Sequence, residues 1–181
     1  MERCRLVFSG SGGQGVITAA IIFAEAAALH EDLNAVQSQS YGPEARGGAT
    51  RSDVIISENK INYPKVIQPN VLVCLTQQAY NKFYPIIRPG GLLITDSRFV
   101  QTERKVDARQ REFNMYETVM ERIGKPIVFN ICMLGVVTAL TGVIKPEAIT
   151  SVLEQRIPSS FMEMNRQALG IGMDLAAETV T

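Results

Sequence analysis

A chain of 181 residues, 46% apolar and 20% charged, can bury a sizeable core without disulfides or metal and suits a single domain spanning residues 1–181. Its 18 basic and 18 acidic side chains cancel to a net charge of +0, which excludes the basic excess of a non-specific nucleic-acid binder and the imbalance of a disordered chain. The longest apolar stretch, 16–29, contains Thr18 and Glu25 and is too short to span a membrane, and glycines interrupt the apolar start Leu6-Val7-Phe8, so a cytoplasmic protein without leader or anchor is expected.

Residues 4–9 read as a strand that stops at glycine, and 15–29 as a helix apolar on nearly every face, hence buried. A short strand is expected near 35–38, then a long loop over 39–48 and a third strand over 49–57. Pro64 and Pro69 mark 58–70 as an irregular connection. The unbroken apolar run 71–76 suits a strand covered on both faces, and Ala79, Tyr80 and Phe83 follow at helical spacing. Pro89-Gly90-Gly91 makes a turn into another buried strand, 92–95, which ends at Asp96-Ser97.

Residues 98–112 are the most charged stretch, with room for one strand at 105–109. Asn114 with Glu117 signals a helix start for the face Met115, Val119 and Ile123. A core helix is expected over 130–140, and one opened by Pro146 carries Ile149, Val152 and Leu153 inward. Ser160 with Glu163 signals the start of a last helix whose apolar face is Phe161, Met164, Ala168 and Leu169. Strand–helix–strand order predicts a largely parallel sheet with helices packed on it.

Gly10-Ser11-Gly12-Gly13-Gln14-Gly15 matches G-x-G-x-x-G between a strand and a helix. Glycines admit another molecule close to the backbone, and the helix start offers free N–H groups to an anion. Three readings stay open: a tight turn, an anion or cofactor contact, or an intact dinucleotide site. Against the last, the second strand ends in Gln37, Ser38 and Gln39, with no carboxylate for a ribose. The segment 40–48, Ser-Tyr-Gly-Pro-Glu-Ala-Arg-Gly-Gly, places Arg46 between flexible residues, with Arg51 after it. Arg46 is either the cation of a phosphate or carboxylate site or half of a solvated pair with Glu44. Parallel strands would gather 10–15, 40–48, Thr76-Gln77 and Asp96-Ser97 at one sheet edge, where ligands of open α/β sheets bind.

Cys4, Cys74 and Cys132 lie far apart in apolar runs, which predicts buried thiols rather than a disulfide, zinc or cluster site. His30, the single histidine, falls at a helix end and reads as a surface residue rather than a catalyst. No catalytic set suggests itself.

Together, residues 10–20 (Gly-Ser-Gly-Gly-Gln-Gly-Val-Ile-Thr-Ala-Ala), 40–48 and 51–57 (Arg-Ser-Asp-Val-Ile-Ile-Ser) resemble the gamma subunit of 2-oxoacid:ferredoxin oxidoreductases, in a form closest to the 2-oxoglutarate branch. Tyr63-Pro64-Lys65-Val66, Gln78-Ala79-Tyr80, Asn130 with Met133-Leu134-Gly135, and Asn165 with Ala168-Leu169 agree with it. The resemblance runs from about residue 4 to residue 178, and the segment 98–113 departs from it by its charge.

The resemblance implies a three-layer α/β/α fold with a mixed, largely parallel sheet, like the gamma domain (domain III) of pyruvate:ferredoxin oxidoreductase. It implies a subunit inactive alone, in a complex that decarboxylates a 2-oxoacid to its acyl-coenzyme A and passes electrons to ferredoxin. Thiamine diphosphate and iron–sulfur clusters would lie on alpha, beta and, where present, delta subunits; this chain shows neither pattern. Contact with coenzyme A is the expectation for this subunit, through Gly10, Ser11, Gly12, Gly13, Gln14 and Gly15 and through Tyr41, Arg46 and Gly47. A subunit shaped to cover partners would expose apolar surface and be prone to self-association when isolated. The rival readings are a small dinucleotide-binding regulatory domain and a purely structural scaffold.

Overall fold

Leu6, Val7 and Phe8 are fully buried and alternate between two separate cores, one on each face of the sheet to which their strand belongs. The computed structural model describes residues 3–39, 48–102 and 106–178. Its strands are β1 (Cys4–Gly10), β2 (Asn34–Gln39), β3 (Thr50–Ser57), β4 (Val71–Cys74), β5 (Gly91–Asp96) and β6 (Ala108–Phe113), ordered β2-β3-β1-β4-β5-β6 in one sheet. β1, β4, β5 and β6 are parallel neighbours. β3 runs antiparallel to both β1 and β2, so the sheet is mixed and β2 shares the direction of β1.

The helices are α1 (Val16–His30), α2 (Gln77–Phe83), α3 (Met115–Arg122), α4 (Phe129–Thr141), α5 (Pro146–Arg156) and α6 (Ser159–Glu178). Leu6, Phe8, Val54, Ile56, Val73 and Ile94 point to the core shared with α1, α3, α4, α5 and α6. Val7, Ile55, Leu72 and Leu93 point the other way, to a smaller core with Ala79, Tyr80 and Phe83 of α2. Helices on both faces make the three layers expected. The fully buried Phe8 and Phe23 meet edge to face at 5.9 Å. Burying each such side chain contributes about 1.5–3 kcal/mol.

α4 and α6 cross at Gly135 and Gly172. A Cβ on Gly135 would overlap the Leu169 carbonyl, and one on Gly172 the Cys132 carbonyl, so the two helix backbones lie against each other.

Three expectations need correction. The strand expected at 105–109 lies at Ala108–Phe113. It is an edge strand, and Arg109, Arg111 and Glu112 suit one because charge discourages pairing with another sheet. Asn114 stands at the N-cap of α3 as expected, but its side chain makes no capping bond, and the Asp96 carboxylate accepts the Tyr116 N–H at 2.9 Å instead. α6 begins at Ser159, which puts Ser160 inside the helix, where the Phe161 N–H donates to the Pro158 carbonyl at 2.9 Å.

Candidate functional site

β1 carries the chain to Gly10, where the Leu75 N–H donates to the Ser9 carbonyl at 2.9 Å and extends the ladder by one step. The backbone then turns back sharply. Gln14 holds the turn closed: its Oε1 accepts the Ser11 N–H at 2.8 Å, its Nε2 donates to the Leu75 carbonyl at 2.9 Å, and its own N–H donates to the Ser11 carbonyl at 3.2 Å. A Cβ on Gly10 would sit 2.5 Å from Gln14 Oε1 and would push aside the side chain that closes the turn.

Gly15 ends the turn with φ of 69°, a left-handed conformation that favours glycine, and stands at the N-cap of α1. Its carbonyl accepts the Ala19 N–H at 2.9 Å and the Asn130 Nδ2 at 3.3 Å. A Cβ on it would lie 2.7 Å from Asn130 Nδ2.

Gly12 and Gly13 differ from these two. Both are exposed, and both sit in the first turn of a short 3-10 helix, Gly12–Gln14, whose leading N–H groups lack internal partners. A Cβ on Gly13 would meet nothing within 4 Å, and one on Gly12 only Thr50 Oγ1 at 3.9 Å. The backbone therefore demands glycine at 15, the Gln14 staple disfavours a side chain at 10, and neither constraint applies at 12 and 13. What the bare backbone at 12 and 13 permits is approach from outside.

β1, β2, β4 and β5 end at one edge, as the parallel reading required. Thr50, the first residue of β3, pairs with Gly10, so the far end of the 40–48 segment enters the sheet beside the glycine loop. Tyr41, Arg46 and Gly47 lie outside the described residues, as does Glu44. Arg51 is spent on structure: its Nε lies 2.6 Å from Asp53 Oδ1, its Nη2 donates to the Val66 carbonyl at 2.5 Å, and its guanidinium stands 5.6 Å from the Phe83 ring centroid.

Thr76 Oγ1 accepts the Ala79 N–H at 3.1 Å and caps α2. Asp96 is fully buried and accepts the Arg98 N–H at 3.0 Å and the Tyr116 N–H. Burial pushes its carboxyl above the ordinary carboxylate range, against the pull of these N–H bonds.

Beside the loop opens a cleft of about 460 Å³. Gly13, Gln14 and Gly15 form one side, and Ile127, Phe161 and Met164 give the facing side its apolar character. Ile127 is 78% exposed and Phe161 52%, so Phe161 faces this opening rather than the core position expected of it. Arg156 also lines the cleft, its guanidinium bonded to the Glu25 carboxylate with Nε to Oε2 at 2.6 Å. Asn130 borders the cleft too, and its Oδ1 is buried with no partner among the described residues. Sequence reasoning missed this cleft because its walls come from segments over a hundred positions apart, and Ile127 sits in an apolar run whose inward and outward members look alike.

Cys74 and Cys132 are buried, and burial pushes both thiols up to about 12. Cys4 is half-buried rather than buried, its thiol raised to about 11 by the same cause. Among the described residues no group of three or more histidine, cysteine or acidic side chains could hold a metal ion, and no helix is long and apolar enough to cross a membrane. His30 is exposed in the last turn of α1.

The family model for pyruvate ferredoxin/flavodoxin oxidoreductase matches residues 5–175. The 2-oxoglutarate synthase subunit KorC of Methanocaldococcus jannaschii is 43% identical over 97% of this chain and 95% of its own length. The solved gamma subunit of a keto/oxoacid ferredoxin oxidoreductase from Geobacter sulfurreducens is 41% identical, with a TM-score of 0.87 over 97% of this chain and 99% of that one. A 2-oxoglutarate:ferredoxin oxidoreductase from Magnetococcus marinus, solved with 2-oxoglutarate, coenzyme A and succinyl-CoA, superposes with a TM-score of 0.87 over 98% of this chain and 32% of its own. At 20% identity that likeness concerns the fold alone.

Proposed function

This chain belongs to the pyruvate ferredoxin/flavodoxin oxidoreductase family, and we propose that it is the gamma subunit of a cytoplasmic 2-oxoglutarate:ferredoxin oxidoreductase. The observation that carries the choice of acid is the 43% identity to KorC along nearly the whole of both chains. The complex cleaves the bond between C1 and C2 of 2-oxoglutarate and releases carbon dioxide. It joins the succinyl group to the coenzyme A thiol and passes the electron pair to ferredoxin. Thiamine diphosphate and iron–sulfur clusters, held on the alpha, beta or delta subunits, supply the decarboxylation and electron transfer.

The part of this chain, one domain on one sheet, is to hold coenzyme A and to join the complex. The bare backbone at Gly12 and Gly13 and the start of α1 suit a pyrophosphate, because unpaired N–H groups and the positive end of a 15-residue helix converge there. Gly10, Ser11, Gln14 and Gly15 hold that backbone in place. Arg46, in the same segment as Tyr41 and Gly47, supplies the counter-charge, and the apolar cleft beside the loop receives the uncharged arm of the ligand.

The test uses the assembled complex carrying wild-type chain or Arg46→Ala. A charge-assisted hydrogen bond is worth about 1.5–3 kcal/mol, so the apparent coenzyme A affinity should fall about 10–150-fold. Complex size and the Michaelis constant for 2-oxoglutarate should hold. Unchanged coenzyme A dependence in an intact complex would remove Arg46 from the site, and loss of the complex on dilution would favour a scaffold role.

A further inference from the structure

At the opposite edge of the sheet, where the parallel strands begin, lies an open basin of about 630 Å³. Arg3 and Arg5 reach it from the start of β1, Lys65 from the 58–70 connection and Arg88 from the turn before β5. No aspartate or glutamate lines it. Arg3 donates to the Lys60 carbonyl at 3.3 Å, and among the described residues none of the four cations meets a carboxylate. Elsewhere Arg51, Arg98, Lys145, Arg156 and Arg166 are each paired. In a chain of zero net charge, four cations on one face that meet no carboxylate among the described residues are a local concentration rather than a general excess.

The basin is also held in shape. Asp53 accepts the Val66 N–H at 2.9 Å and fixes the residue beside Lys65 to the sheet. The Arg88 N–H donates to the Pro69 carbonyl at 3.2 Å, and the Asn70 N–H to the Arg5 carbonyl at 2.8 Å. Two large apolar side chains, Tyr63 at 55% and Ile67 at 72% exposure, stand among the cations. A neighbouring concavity of about 660 Å³ shares Arg3, Arg5 and Arg88, so the charged face is broader than the hollow a small ligand fills. Arginine and tyrosine around exposed apolar groups is the composition of a protein interface.

We infer that this face docks on an acidic, partly apolar surface of a partner subunit, an inference that rests on the chain being a subunit of a complex. The contact lies at the sheet edge opposite the glycine loop, which leaves that loop free for a ligand. Complementary charge would orient the subunit during assembly, and Tyr63 and Ile67 would be buried in the contact.

The experiment co-expresses the other subunits of the complex with wild-type chain, with Lys65→Glu/Arg88→Glu, or with Arg122→Glu as a charge reversal outside the basin, and reads the share of chain retained on size exclusion. Retention of the double variant should fall about tenfold or more while Arg122→Glu matches wild type, and rising salt should release the wild-type chain. Urea unfolding of the isolated double variant checks its fold, and Lys65→Ala/Arg88→Ala, with a smaller loss expected, replaces it if the fold fails. Equal retention of wild type and the folded charge variants would overturn the inference. So would tight binding of inorganic tripolyphosphate to wild type that the double variant loses without loss of assembly, because the basin would then be a small-anion site. A wild-type chain that joins no partner would overturn the subunit reading itself, and the inference with it.

Discussion

Asn130, on the first turn of α4, donates its side-chain amide to the Gly15 carbonyl at 3.3 Å and so ties the glycine loop to a helix 115 positions away. The loop is thereby a fixed object: Gln14 staples it to Leu75, just past the end of β4, and Asn130 holds the neighbouring Gly15 to α4. Gly15→Ala forces a side chain into a left-handed backbone and against Asn130, and should destabilise the chain by about 1–3 kcal/mol in urea unfolding. Asn130→Ala should cost about 0.5–1.5 kcal/mol. The two changes combined should cost less than their sum, because both break one contact. Strict additivity would mean that the contact carries no energy.

Gly12→Val is expected to behave differently. A Cβ there would meet only Thr50 Oγ1 at 3.9 Å and residue 12 is exposed, so stability should stay within about 0.5 kcal/mol of wild type. The assembled complex should nevertheless lose coenzyme A-dependent turnover. A variant with wild-type kinetics would reduce the loop to a turn.

The crossing of α4 and α6 gives a structural control. Gly172→Ala drives a methyl group into the Cys132 carbonyl and should cost about 1–3 kcal/mol, or more if the helices cannot separate. Thermal unfolding of the isolated chain reads this directly. An unchanged melting temperature would contradict the close approach.

Much of this fold is legible in the residues. β1, α1, β4 and β5 are apolar runs punctuated by glycine, threonine or aspartate, and hydrophobic burial dictates them almost unaided. β6 is less readable because an edge strand needs charge where an interior strand needs apolar side chains, and Arg109 and Arg111 hide its alternation. Asn114 marks the start of α3 correctly, yet a buried carboxylate from β5 rather than its own side chain accepts the Tyr116 N–H, a competition decided by tertiary packing. At the site, the glycine spacing marks the loop, but it does not tell Gly15, which the backbone requires, and Gly10, which faces the Gln14 staple, from Gly12 and Gly13, which the fold leaves open.

Asp96 gives the fold a pH dependence of known sign. Burial raises its pKa above that of the unfolded chain, ordinarily about 3.9, so the folded state holds the proton more tightly. Between the unfolded and folded values the native chain binds more protons, and stability attributable to Asp96 falls as pH rises through that window. Above both values the difference is constant. The stability of wild type minus that of Asp96→Asn, from urea unfolding across the acid range, should therefore decline with rising pH and then level off. A difference that grows with pH would place the Asp96 pKa below its ordinary value.

Acceptor reduction by the complex decides whether this chain is the gamma subunit of an enzyme acting on 2-oxoglutarate. Ferredoxin reduction is followed with 2-oxoglutarate and coenzyme A, in complexes prepared with and without this chain. The expected result is turnover that needs both substrates and this chain, forms succinyl-coenzyme A, is weaker with pyruvate, and is absent for the chain alone. Full activity without the chain, or preference for pyruvate over 2-oxoglutarate, would rule that role out.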